Sequence, residues 1–164
     1  MPASDGFSAV EMGYLQGEGL PSVGVVLLPI TGAARRARDV VTEACLGWEL
    51  AQLLGPASLV ATELVTNAVM HARTMMNLRV IRDRGQLRIE VCDGSPVIPA
   101  LPAPLTAGGP DRRGGRRGLM IVDRIADRWG CWQGAGGKVV WAVLRFDLVW
   151  PPLSSPERLR RRRG

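Results

Sequence analysis

The chain has 164 residues, enough for one domain with a real hydrophobic core and no need of disulfides or a structural metal. Hydrophobic residues at 46% and charged residues at 22% are the fractions of a soluble globular protein. The net charge of +6 does not describe a basic face: Arg158 and Arg160 to Arg163 gather at the end, Arg112, Arg113, Arg116 and Arg117 in a second cluster, and the remainder is near neutral.

Cys45, Cys92 and Cys131 are odd in number, widely spaced and form no CxxC pair, and His71 is the only histidine. That inventory argues against a zinc site and points to a reducing, cytoplasmic setting. No targeting segment is expected. The early apolar run from Val23 to Ile30 is too short to span a membrane and follows Asp5, Glu11 and Glu18 rather than a basic stretch.

Residues 1–21 are rich in Gly, Ser and acids and are expected to be loose, followed by a domain over 22–150. Ser22 to Ile30 is expected to be a strand that Pro29 brings to an end. Thr31 fits the N-cap of a helix from Gly32 to about Leu54, with Ala37, Val40, Val41, Ala44, Cys45 and Trp48 at helical spacing. Gly55-Pro56 opens a second helix that runs to His71 or Ala72.

Met76 to Arg82 and Gln86 to Asp93 alternate as strands and oppose one another across Asp83-Arg84-Gly85, a hairpin signal. Gly94 to Gly115 has many Gly and Pro residues and no period, so it is a long loop, a kind usually kept for function. Helical spacing returns over Gly118 to Asp127, and Trp129 to Gln133 with Lys138 to Leu148 form a second hairpin around Gly134-Ala135-Gly136-Gly137. Residues 151–164 turn to Pro, Ser and Arg and are expected to be a disordered basic tail.

Locally paired strands and grouped helices predict a two-layer α/β (α+β) sandwich: a mixed, mostly antiparallel sheet covered on one face by helices. No GxGxxG opens a helix after a strand, which disfavours a Rossmann fold.

Three features carry chemistry. Glu63, Asn67 and His71 lie four residues apart, on one face of an otherwise apolar helix whose Leu64, Val65, Ala68 and Val69 suit a core. Buried and unpaired, the amide alone costs about 1–3 kcal/mol. A ligand bearing a metal ion would satisfy the row, as would a neighbouring loop or solvent. Asp93 ends a strand, and Gly94 after it lets a ligand approach the backbone, so the carboxylate can accept from an exocyclic amine. An ordinary Asp-Gly turn is the competing reading. In Gly114-Gly115-Arg116-Arg117-Gly118-Leu119 a glycine-rich loop meets a helix start, an anion site to which Arg116 and Arg117 add charge suited to phosphate. A solvated basic loop is its alternative, and it is no Walker P-loop, for no Gly-Lys-Ser/Thr is present.

In this order the three resemble the GHKL superfamily of histidine-kinase-like ATPases, in particular its small anti-sigma-factor serine kinase branch. Glu63-Leu-Val-Thr-Asn67-Ala-Val-Met-His71-Ala resembles the N box, and Val91-Cys92-Asp93-Gly94-Ser95-Pro96 the first glycine box. Arg117-Gly118-Leu119-Met120-Ile121-Val122, with the hairpin up to Trp141, resembles the second box and what trails it. The resemblance covers about Val23 to Phe146. One departure is visible: where the family usually has Gly-Arg-Gly-Leu, Arg116 here precedes Arg117-Gly118-Leu119 and the glycine stands at Gly115.

The resemblance implies ATP with Mg²⁺, Asn67 coordinating the metal and Glu63 acting as general base toward an attacking serine hydroxyl. It implies that Asp93, beside Gly94, reads the adenine amino group, that Arg116, Arg117, Gly118 and Leu119 hold phosphates, and that His71 lines the pocket. It implies a sigma factor and an anti-sigma antagonist as partners, the antagonist also being the phosphorylated substrate, and a homodimer. A non-catalytic ATP-holding module that sequesters a partner is the alternative function. Nucleic-acid binding rests on the Arg-rich tail alone and predicts steep salt dependence.

Overall fold

The computed structural model describes residues 19–99 and 115–146. The expected loose N-terminal segment up to residue 18, most of the Gly- and Pro-rich loop and the basic tail lie outside the described residues.

The elements follow as β1 (Ser22–Leu27), α1 (Ala33–Gly47), a 3-10 turn (Ala51–Leu53), α2 (Leu54–His71), β2 (Met76–Asp83), β3 (Gln86–Asp93), α3 (Gly115–Ile125), β4 (Arg128–Gly134) and β5 (Gly137–Arg145). Five strands form one sheet in the order β1-β2-β3-β5-β4. Every pairing among the described residues is antiparallel, so the parallel component allowed for in a mixed sheet is not there. Both hairpins form where the turn residues place them. Gly85 takes φ +82° in the first, the left-handed region that favours glycine.

The helix expected from Gly32 to Leu54 is two elements, because the chain turns at Glu49. Glu49 has φ +59°; its N–H donates to the Leu46 carbonyl at 3.2 Å, and the Leu50 N–H donates to the Cys45 carbonyl at 2.7 Å. These two bonds form a Schellman cap built on a glutamate where glycine is usual, with Leu50 buried behind it. At the other end Gly32, not Thr31, is the N-cap, and no side chain caps the helix. Helix α2 stops after His71, where the Ala72 and Arg73 N–H groups both return to the Ala68 carbonyl and Arg73 adopts φ +56°.

Strand alternation sorts the sheet into two faces. Leu78 and Val80, Leu87, Ile89 and Val91, and Val140, Ala142 and Leu144 point one way and join the buried face of α2 in a single core. That core takes Ala57, Val60, Ala61, Leu64, Val65 and Ala68 from α2. The 21 residues from Ala51 to His71 are long and apolar enough to cross a membrane by composition, yet this burial marks a core helix of a sandwich. Helix α3 lies beside α2, contributing Leu119 and Val122 to the same core.

Candidate nucleotide site

The core rows of β3 and β5 do not stay apolar to their ends. Continuing the inward phase of Leu87, Ile89 and Val91 comes Asp93; continuing that of Leu144, Ala142 and Val140 comes Lys138. The two are Cα partners in the β3–β5 register, with side chains 1% and 2% exposed. Lys138 Nζ donates to Asp93 Oδ1 at 2.8 Å, and the Ser95 N–H donates to the same oxygen at 2.9 Å. Asp93 Oδ2 is buried without a hydrogen-bond partner among the described residues. A carboxylate oxygen taken out of water and left unmatched costs free energy, so an orphan of this kind calls for a ligand donor.

The backbone around this carboxylate is closely fitted. Gly137 has φ +149°, and a Cβ there would collide with the Asp93 carbonyl. The Gly94 N–H donates to Thr74 Oγ1 at 2.9 Å, and Gln133 Nε2 donates to the Pro96 carbonyl, tying the chain after β3 to both flanking segments. Cys131 stands close enough for its thiol, lifted mainly by burial, to feel Lys138 and Asp93 as well.

Helix α2 presents the other expected residues. Asn67 is buried among the apolar residues of that helix. Glu63, one turn earlier, is half-buried, and burial pushes its carboxyl above the ordinary glutamate value. His71, one turn later, is exposed in the last turn of the helix. The three share a helix face as their spacing requires, but in graded environments rather than one buried row.

Gly118 joins this group from α3. A Cβ at Gly118 would lie 2.5 Å from Glu63 Oε2 and 3.6 Å from the Glu63 Cβ, so the glycine leaves room for the carboxylate in its present position. The helix expected to begin at Gly118 begins at Gly115. In a helix with that start the first intrahelical bond is donated by the Gly118 N–H, so the free N–H groups end at residue 117 and the Leu119 N–H also belongs to the ladder. The Leu119 side chain is 2% exposed and packs in the core. Arg116 and Arg117 fall in the first turn of α3, and their side chains lie outside the described residues.

Sequence reasoning does not single out Lys138. A signal exists: it is the chain's only lysine, at an inward position of a core strand.

A family model for the histidine kinase-like ATPase domain matches residues 30–144. The chain belongs to that family. The match spans β1's exit through β5 and takes in Glu63, Asn67, Asp93, Gly118 and Lys138. No curated protein sequence matches the chain. Among solved structures, the RsbU and RsbW domains of Rv1364c from Mycobacterium tuberculosis are similar, with a TM-score of 0.56 and 18% identity. That likeness covers 76% of this chain and 32% of the longer one, and it speaks for the fold.

A histidine kinase-like ATPase domain implies ATP, and the residues present suit it. The orphaned Asp93 oxygen matches an adenine amine, and the free N–H groups opening α3 match phosphate. Among the described residues no three His, Cys, Asp or Glu side chains gather as a metal site. A Mg²⁺ ion would therefore take most of its oxygens from phosphate and water, with the Asn67 amide as the protein's own ligand.

Proposed function

We propose that the chain is an ATP-dependent serine/threonine protein kinase of the anti-sigma-factor type. In this reading it sequesters a sigma factor and phosphorylates a serine of the antagonist protein that competes for it. The supporting observation is the Glu63 carboxylate: half-buried on α2, raised in pKa by burial, and set against a glycine on the facing helix. A carboxylate so placed is a suitable general base for a hydroxyl nucleophile.

In this reading Asp93 orients the adenine, Asn67 holds the metal, and the start of α3 with Arg116 and Arg117 cradles the phosphates. His71, exposed at the end of α2, lines the rim. Bound Mg²⁺ would offset charge on the transferring phosphoryl group. The resemblance to the anti-sigma branch also implies a cytoplasmic homodimer, and the similar solved structure includes an RsbW domain, there within a different protein.

The test is calorimetric titration with ATP, with and without Mg²⁺, on the wild type, Asn67→Ala and Asp93→Asn. Mg²⁺-dependent binding weakened by both changes supports the site. Glu63→Ala should then keep ATP while phosphate transfer to an antagonist serine, read by mass spectrometry, falls about 10²–10⁴-fold. Unchanged partner binding with no phosphate on any partner would make the chain a non-catalytic sequestering module. A loss of ATP affinity as large as the loss of rate would remove Glu63 from the base role.

A further inference from the structure

The pair of Asp93 and Lys138 divides the carboxylate into two unlike oxygens. Oδ1 accepts from Lys138 Nζ at 2.8 Å and from the Ser95 N–H at 2.9 Å, which uses both of its lone pairs. Oδ2 is equally buried and has no partner among the described residues. Lys138 Nζ also lies 3.5 Å from the Ser95 carbonyl, so the ammonium is held on the Oδ1 side by two oxygens. To a ligand, Asp93 offers one acceptor.

That count discriminates between purines. Adenine presents a single exocyclic amino group beside ring nitrogens that only accept, and one carboxylate oxygen satisfies it. Guanine presents two adjacent donors, N1–H and the 2-amino group, which a carboxylate pairs only when both oxygens are free. Here the second donor would meet an oxygen already bonded twice, with an ammonium beside it.

We propose that Lys138, together with the Ser95 N–H, is the specificity-determining element of the base site: by occupying Asp93 Oδ1 it selects adenine over guanine nucleotides. The inference rests on the nucleotide reading of the site and adds the residue that sets which purine enters. A lysine that served only to neutralise Asp93 would affect all purine nucleotides alike; one that occupies an acceptor changes their ratio.

The experiment is calorimetric titration of the full chain and of Lys138→Met with ATP, GTP and ITP, each with Mg²⁺ and at one pH, folding being checked by circular dichroism. Wild type should bind ATP at least about tenfold more tightly than GTP, because one buried donor of guanine goes unpaired. ITP, which lacks the 2-amino group, should fall between them. In Lys138→Met the ATP-to-GTP ratio should shrink about tenfold, whatever happens to the absolute affinities. An unchanged ratio in a folded Lys138→Met overturns the proposal, as does equal binding of ATP and GTP by the wild type. If the variant does not fold, the wild-type order decides: ITP no tighter than GTP overturns it. Failure of all three nucleotides to bind the wild type overturns the nucleotide reading itself, an outcome distinct from ATP binding without discrimination.

Discussion

Gly118 on α3 stands against Glu63 on α2 so closely that a methyl group there would lie 2.5 Å from Oε2. Contact between a glycine and a half-buried carboxylate couples the start of one helix to the polar face of another. Gly118→Ala is therefore expected to displace the Glu63 side chain, which can swing aside, while alanine's better helix propensity supports α3. Phosphate transfer should fall more than tenfold with the melting temperature within about 2 °C of wild type. Kinetic assay beside thermal denaturation checks this; equal losses of both would mean that the contact serves packing alone.

Acid dependence follows from the same carboxylate. Burial raises the Glu63 pKa above 4.5, so the base form is lost at a higher pH than for a solvated glutamate. The rate at limiting ATP should rise with pH along an acid limb whose midpoint exceeds 4.5. A pH–rate profile of wild type beside Glu63→Gln, in which that limb should vanish, makes the measurement.

Stability has its own titration on the sheet face away from the helices. Glu90 is buried, with Oε1 2.6 Å from Arg88 Nε and Oε2 unpartnered among the described residues, and Arg88 lies over the Trp141 ring. Desolvation outweighs the arginines and raises the Glu90 pKa. Because the folded state holds this proton longer than the unfolded chain, Glu90's contribution is full below the ordinary glutamate pKa and is lost as pH rises through the raised value. Glu90→Gln should flatten that dependence and, at pH 7, melt no lower than wild type. A drop of several degrees in calorimetry would show that the Arg88 ion pair outweighs the desolvation of the carboxylate.

Gly137 allows a further test. Its φ of +149° and the approach of its Cα to the Asp93 carbonyl leave no room for a side chain. Gly137→Ala should cost about 1–3 kcal/mol through strain alone, a fall of several degrees in melting temperature for a domain of this size. ATP affinity should drop with it, since the displaced start of β5 carries Lys138 and lies against Asp93 at the end of β3. Denaturation and calorimetry on the same preparation separate the two effects.

Much of this was legible in the sequence because it is local. The period of α2 aligned Glu63, Asn67 and His71, alternation and Asp83-Arg84-Gly85 fixed the first hairpin, and Asp93-Gly94 marked a strand end. Local signals misjudged α1, where the helix breaks at Glu49 rather than at a glycine. Its left-handed conformation is stabilised by the burial of Leu50, a tertiary effect that residue type does not reveal. They also misplaced the start of α3, since the glycines at 114, 115 and 118 permit several starts and packing against α2 chooses among them.

The sequence by itself determined the strands, the two hairpins, the family and the row of polar residues on α2, because each is written in spacing of a few residues along one strand or helix. Tertiary structure alone decided that Asp93 meets Lys138 across 45 residues, and that Gly118 clears the space beside Glu63. Those are contacts between elements. They depend on sheet order and helix packing, where the gain from burying a continuous apolar core sets which polar side chains are left facing one another.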